Sequence, residues 1–267
     1  VNSIIEVNMA ETELLPFEKP RRFRFDLVFP ALFKPKQTFA AILADEKGNW
    51  LTPLLVLSIL AVILVLAAGP IRQQIASVPP TPPEDFQWWT PEQQAQFMAS
   101  GETRSSPLFI YGLPALNSLL QVWVGWALLA AVLHLTLTLS GSRHSFTSAL
   151  NLVGWASLPF GIRFIVQTVY YFSTQTLIAS PGLSGFVPAG MGGGTNFLIP
   201  LLGMVDLYLI WQFALVVIGA ASGSQMPAAK AAITCLVAFL ITLVLFALPG
   251  FAVAQLSSLS VARPFFF

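Results

Sequence analysis

Two charged side chains, Arg163 and Asp206, stand inside stretches otherwise apolar enough to cross a bilayer. An ionised group in hydrocarbon is expensive, so the ones that occur face a bundle interior or a water-filled cavity and find a partner. On the topology argued below, Arg163 lies about 8 residues from the outer end of the third apolar stretch and Asp206 about 9 from that of the fourth. At 1.5 Å per residue both sit about 12–14 Å below the outer surface. Matched depth and opposite charge predict an ion pair. It has two possible roles, a structural lock between helices or a station in a proton or substrate relay. A single pair with no further carboxylate beside it favours the lock.

Other polar side chains in the apolar stretches suit packing better than catalysis. Asn117, Gln121 and Gly125 recur every four residues in the second stretch, with Ser118 alongside. That spacing puts them on one helical face, expected to look into the bundle. Gln167 and Tyr170 extend a polar face from Arg163, and together these residues leave room for a small polar cavity near the outer leaflet. His134 is followed by Thr138 one turn later, and the other histidine, His144, lies in a short loop beside Arg143. A haem held by two histidines needs one on each of two membrane helices, so no haem is expected. Cys235, the single cysteine, lies in an apolar run and reads as a small buried hydrophobe. An intramembrane aspartyl protease needs two membrane aspartates, and only Asp206 is there. No membrane serine has a suitably spaced histidine, and no cluster of His, Cys, Asp or Glu suits a metal. The expectation is no enzyme, no cofactor and no metal.

The elements that must position these residues follow from composition. The chain has 267 residues, 55% hydrophobic and 9% charged. A soluble domain carries roughly 25% charged residues, so this chain is expected to be embedded in a lipid bilayer. A net charge of +1 gives no reason to expect nucleic acid as a partner. Residues 1–20 are polar and acidic, without the basic start and apolar core of a secretory signal.

Five stretches reach the roughly 20 apolar residues that a membrane helix needs: about 50–69, 113–139, 148–171, 197–221 and 231–254. The fold expected is an all-α integral membrane protein, a five-helix transmembrane bundle. Pro53, Pro114 and Pro200 fall in first turns, where a missing N–H costs little. Pro159 falls mid-span and should kink the third helix, freeing the carbonyl of Trp155 for a neighbouring helix to satisfy. The Ser140-Gly141 pair is a helix stop, and Pro249-Gly250 loosens the end of the fifth span.

The chain divides at about residue 45 into a cytoplasmic N-terminal tail, 1–45, and a membrane domain, 46–267. Within the tail, Arg21, Arg22, Arg24, Lys34 and Lys36 mix with Phe23, Phe25, Phe29, Phe33 and Phe39. Basic residues beside aromatics suit an interfacial segment in the headgroup plane; a loose tail whose charges only set topology is the alternative. In the loop 70–112, prolines 79, 80, 82 and 83 should be extended. Thr90-Pro91-Glu92-Gln93 reads as a capped helix start. Trp88 and Trp89 would anchor that helix at the membrane surface or dock a partner. The glycine-rich run from Gly190 to Thr195 lacks the lysine and preceding strand of a phosphate loop, and reads as a turn. The terminal Phe265, Phe266 and Phe267 should dip into the interface or a partner's groove.

Lysine and arginine placement orients the bundle. Lys19, Arg21, Arg22, Arg24, Lys34, Lys36 and Lys47 precede the first span, and Arg143 and Lys230 lie in the loops on the same side. Only Arg72, Arg104 and Arg263 fall on the other. Nine against three puts the N-terminus inside, and five spans then put the C-terminus outside.

With these elements laid out, the sequence resembles the Yip family (Ypt/Rab-interacting multi-spanning membrane proteins), in its bacterial branch, from about Pro35 to Phe251. The likeness runs in order through Pro35-Lys36-Gln37-Thr38-Phe39, the glycine closing span two, Phe146, and Gly154-Trp155-Ala156-Ser157-Leu158-Pro159. It continues through Asp206-Leu207-Tyr208, Trp211, Gly219 and Lys230-Ala231. The proline-rich and glycine-rich loops show no clear family pattern. The resemblance implies a five-helix bundle with a cytoplasmic N-terminus and no enzymatic activity. Eukaryotic relatives act in vesicle traffic with small GTPases, and some bacterial relatives accompany ABC-type exporters. The family defines no catalytic residues, so none are carried over.

These lines converge on a non-enzymatic accessory or scaffold subunit of a bacterial inner-membrane complex, packed against other membrane-protein subunits and associated with an ABC-type exporter. The alternatives are a small transporter or permease using the Arg163–Asp206 region, and a peripheral subunit of a respiratory or photosynthetic complex.

Overall fold

A computed structural model describes residues 23–44, 48–78, 81–143, 145–187, 195–224 and 226–259. Arg21, Arg22, Lys47, His144, Arg263, the Gly190–Gly194 run and the Phe265-Phe266-Phe267 tail lie outside the described residues. All regular structure among the described residues is helical. In order these are α1 (Val28–Phe33), α2 (Pro35–Ala44), α3 (Leu51–Ser77), α4 (Pro91–Ser105) and α5 (Leu113–Leu139). Then come α6 (Phe146–Ala156), α7 (Pro159–Thr174), α8 (Thr195–Gly203), α9 (Leu207–Ser224) and α10 (Ala228–Leu259).

Among the described residues, four helical units are long and apolar enough to cross a membrane: α3, α5 with the π-helical turn before it, the α6–α7 pair, and α10. The α8–α9 pair makes a fifth if the two, bent by 66°, are one span. The protein is a multi-pass, all-α membrane protein. α3 runs past Gly69 and Pro70 to Ser77, and α10 runs through Pro249 to Leu259, so both exceed the apolar stretches that predict them. Once a span leaves hydrocarbon, its helix continues while backbone bonding continues. α5 ends where expected: Gly141 takes φ +89, and the Ser142 N–H returns to the Leu137 carbonyl at 2.9 Å.

Span three breaks at Ser157-Leu158, and Pro159 opens α7. The Trp155 carbonyl is taken by the Leu158 N–H at 3.4 Å. The freed acceptor is therefore met within the tightened turn and not by a neighbouring helix, as the sequence suggested, because a 3₁₀ turn reaches one residue less far.

The N-terminal segment is docked to the bundle. α2 lies against α9, with Phe39 fully buried where Gly219 leaves space; a Cβ on Gly219 would collide with Leu152 and press on the Phe39 ring. Ala31, Leu32 and Ile42 join the same core. Phe25, Phe29 and Phe33 point away from it, exposed. One face of the segment packs on protein and the other, carrying the aromatics, is free for the headgroup region. Where the segment meets span one, the Asn49 N–H donates to the buried Asn151 carboxamide oxygen at 2.8 Å. Trp50 packs against Trp126, ring centroids 4.6 Å apart, beside Gly154.

The basic asymmetry predicts an active alkaline phosphatase fused after α10 and a dark GFP at the same site. The reverse would mean either that the bent α8–α9 pair enters and leaves on one side, so that only four helices cross, or that the N-terminus lies outside.

Candidate functional site

The break in span four sets the geometry of the charged site. Gly203 ends α8, and Asp206 caps α9. The side-chain Oδ1 of Asp206 accepts from the Leu209 N–H at 2.9 Å, the bond that a helix N-cap makes. Its Oδ2 accepts from Arg163 Nη1 at 3.0 Å. Both carboxylate oxygens are thus engaged, one by a helix N-terminus and one by a guanidinium. Arg163 lies one turn into α7, held by Asp206 and by the face of Phe160, 5.7 Å away. The pair is partly covered, its side chains 25% and 17% exposed.

The loop after α7 covers the break. Gly182 adopts φ +57, in the left-handed region that glycine enters freely. The next residue, Leu183, directs its N–H at the carbonyls of Leu202 and Val205, at 2.9 and 3.1 Å. An interrupted helix leaves carbonyls that something must satisfy; here the loop after α7 does it.

A second tie joins the same two spans. Gln212 Nε2 donates to Ser157 Oγ at 2.8 Å, and that hydroxyl donates to the Val153 carbonyl at 2.7 Å. Asp206 and Gln212 are six residues apart on one span, and Arg163 and Ser157 are six apart on the other. The two ties are rungs between the spans about 9 Å apart. The sequence reading missed the lower rung; equal spacing of polar residues on consecutive, antiparallel helices was the available signal.

The other expected residues are not gathered here. Asn117 and Gln121 sit on the exposed surface of α5, not in the bundle interior, while Gly125 of the same row lies against Phe246. Helical spacing fixed that they share a face, but the face turns outward. Gln167 is half-buried on α7, and Tyr170 is exposed. His134 packs edge-on against Phe146, and the Thr138 hydroxyl bonds the His134 carbonyl instead of its ring. Cys235 is fully buried in the core.

In the loop between α3 and α5 the capping box forms, with Thr90 and Gln93 each bonding the other's backbone N–H. Trp89 packs with Phe86 and Phe97 and so holds α4 to its own loop. Trp88 is 81% exposed. Of the two tryptophans, Trp88 alone is placed to meet lipid or a partner.

Among the described residues, no group of three or more His, Cys, Asp or Glu could hold a metal. What the site does chemically is neutralise one charge with another and cap α9 at the break after α8. Comparison with protein families finds the Yip1 domain over residues 30–248, a stretch that includes both loops lacking a recognisable pattern. No curated protein and no solved structure matches the chain. With most of its length matched by that one domain, the chain belongs to the Yip family.

Proposed function

We propose that this chain is a non-enzymatic accessory or scaffold subunit of a bacterial inner-membrane complex, of the kind that accompanies an ABC-type exporter. The observation that carries this reading is the double engagement of Asp206. One oxygen caps a helix N-terminus and the other pairs with Arg163, so both charges are committed to holding the fold, as suits a lock. The N-terminal segment, docked through Phe39 and presenting Phe29 and Phe33 outward, adds a surface at the cytoplasmic side for lipid or another subunit.

A small transporter remains a second reading, because span four is discontinuous. Interrupted helices near an intramembrane charge are a recurring device of transporter sites. Affinity purification of the tagged full-length chain from its source membrane, with mass spectrometry of what accompanies it, tests the first reading. Stoichiometric co-purification of other membrane subunits is expected, and ATPase or redox components among them would say which complex. Solute flux in liposomes containing this chain alone, abolished by Arg163→Ala, would support the transporter instead.

A further inference from the structure

α5 is the least covered of the long helices, with 22% of its apolar window buried inside the protein. Its exposed face is not what lipid requires. Asn117 and Gln121 project from it, and neither has a side-chain hydrogen-bond partner among the described residues. Their depth is fixed by contacts with α3. Trp123 Nε1 donates to Ser58 Oγ at 3.1 Å, and Tyr111 lies against Gly69. Residues 111–123 therefore run beside residues 58–69, inside the uncharged run that ends before Arg72. Gln121 lies about 15 Å below the level of Tyr111, too deep for its amide to reach the headgroups. Two carboxamides turned toward hydrocarbon are costly unless something pairs with them.

A row of exposed residues around them suits a second helix. Leu113, Asn117, Leu120, Val124, Ala127 and Ala131 are all exposed and follow one another at spacings of four and three. That is a heptad seam with a period of 3.5, which favours a second helix supercoiled alongside. Asn117, Val124 and Ala131 fall at one core position, and Leu113, Leu120 and Ala127 at the other. A β-branched residue at the first with leucine at the second favours two strands, and a lone asparagine at the first fixes register. The alanines in the lower half let two backbones approach closely.

We propose that α5 is a dimerisation helix and that its occupant is a second copy of this chain. Two copies inserted in one membrane have the same orientation, so their α5 helices run parallel and each residue meets its own counterpart across a two-fold axis. A carboxamide is both donor and acceptor, so Asn117 can satisfy the amide of its counterpart at the same depth, with Gln121 flanking. This dimer is independent of whether the protein is a scaffold or a transporter.

Disulfide crosslinking of the full-length chain in native membranes tests the dimer, with Cys235→Ala removing the native thiol. Leu120→Cys and Val124→Cys should each give a crosslinked species of twice the chain's mass. Ile59→Cys and Ile233→Cys, exposed on α3 and α10, should not. Adding Asn117→Leu and Gln121→Leu should lower the yield roughly tenfold. The thermal stability of the single chain should not fall, since these amides hold nothing within it. Should the cysteine variants fail to insert, photobleaching steps of the fluorescently tagged wild-type chain, diluted in lipid vesicles, give the same answer: two steps for a dimer and one for a monomer. Equal crosslinking at the control positions, crosslinks to a different protein, single-step bleaching, or indifference to the paired leucine substitutions would each overturn the proposal.

Discussion

Replacing Arg163 alone by alanine should cost more stability than replacing Arg163 and Asp206 together. The single change leaves a carboxylate inside the membrane with one of its two partners gone, and an uncompensated charge is the dominant cost of breaking a buried pair. For a pair whose side chains are 25% and 17% exposed, the expected loss is about 2–3 kcal/mol, below the range for full burial. Asp206 also caps α9, which separates its two roles. Asp206→Asn keeps a capping side chain and removes the charge, whereas Asp206→Ala removes both, and the second should be worse by about 1 kcal/mol. Thermal unfolding in detergent across Arg163→Ala, Asp206→Ala, Asp206→Asn and the double alanine variant gives the coupling. The double variant should recover most of the charge penalty and none of the cap. Strict additivity would mean that the two side chains act independently.

Gly182→Ala should be the most damaging change outside the bundle core. A Cβ there would stand 2.7–2.8 Å from the carbonyl oxygens of Leu202, Gly203 and Val205, all backbone atoms that no rotamer change can move aside. The residue also needs φ +57, which alanine adopts only with strain. Relief requires the loop to lift off, which takes the Leu183 N–H from the carbonyls of Leu202 and Val205 and uncovers the break next to Asp206. A cost of about 2–4 kcal/mol is expected. Protease added to the side that this loop faces should cut between residues 176 and 187 faster in the variant than in the wild type. Gly185→Ala is the matched control, since a Cβ at Gly185 meets only the Ser180 Cβ at 3.5 Å. Equal cleavage and stability in both variants would show that the loop does not seal the break.

The spans were legible because roughly twenty consecutive apolar residues have few other uses. The capped start of α4 and the stop at Gly141 were legible because caps are local: Thr90 and Gln93 need only each other, and Gly141 only its own helix. The break in span four was written in the sequence too, as Gly203 followed three residues later by Asp206 and an apolar run, a helix stop and then a helix start. Reading Asp206 solely as an intramembrane charge concealed its role as a cap. The direction of the Asn117–Gln121 face was not legible, because periodicity says which residues share a face and only packing says where it looks. The rung between Ser157 and Gln212, 55 positions apart, left one trace, the six-residue spacing of each partner from the charge on its own span, and that trace gains meaning only when the two helices are laid side by side.

The proposed role is to pack against other membrane proteins, with no chemistry done by the chain alone. The most direct measurement is the mass and composition of the particle that the full-length protein forms when polymer nanodiscs cut it from its own membrane. The account predicts a particle containing at least two copies of this chain together with other integral membrane subunits. A particle containing this chain and lipid alone, which moves a solute across liposomes in a manner dependent on Arg163 and Asp206, would contradict it.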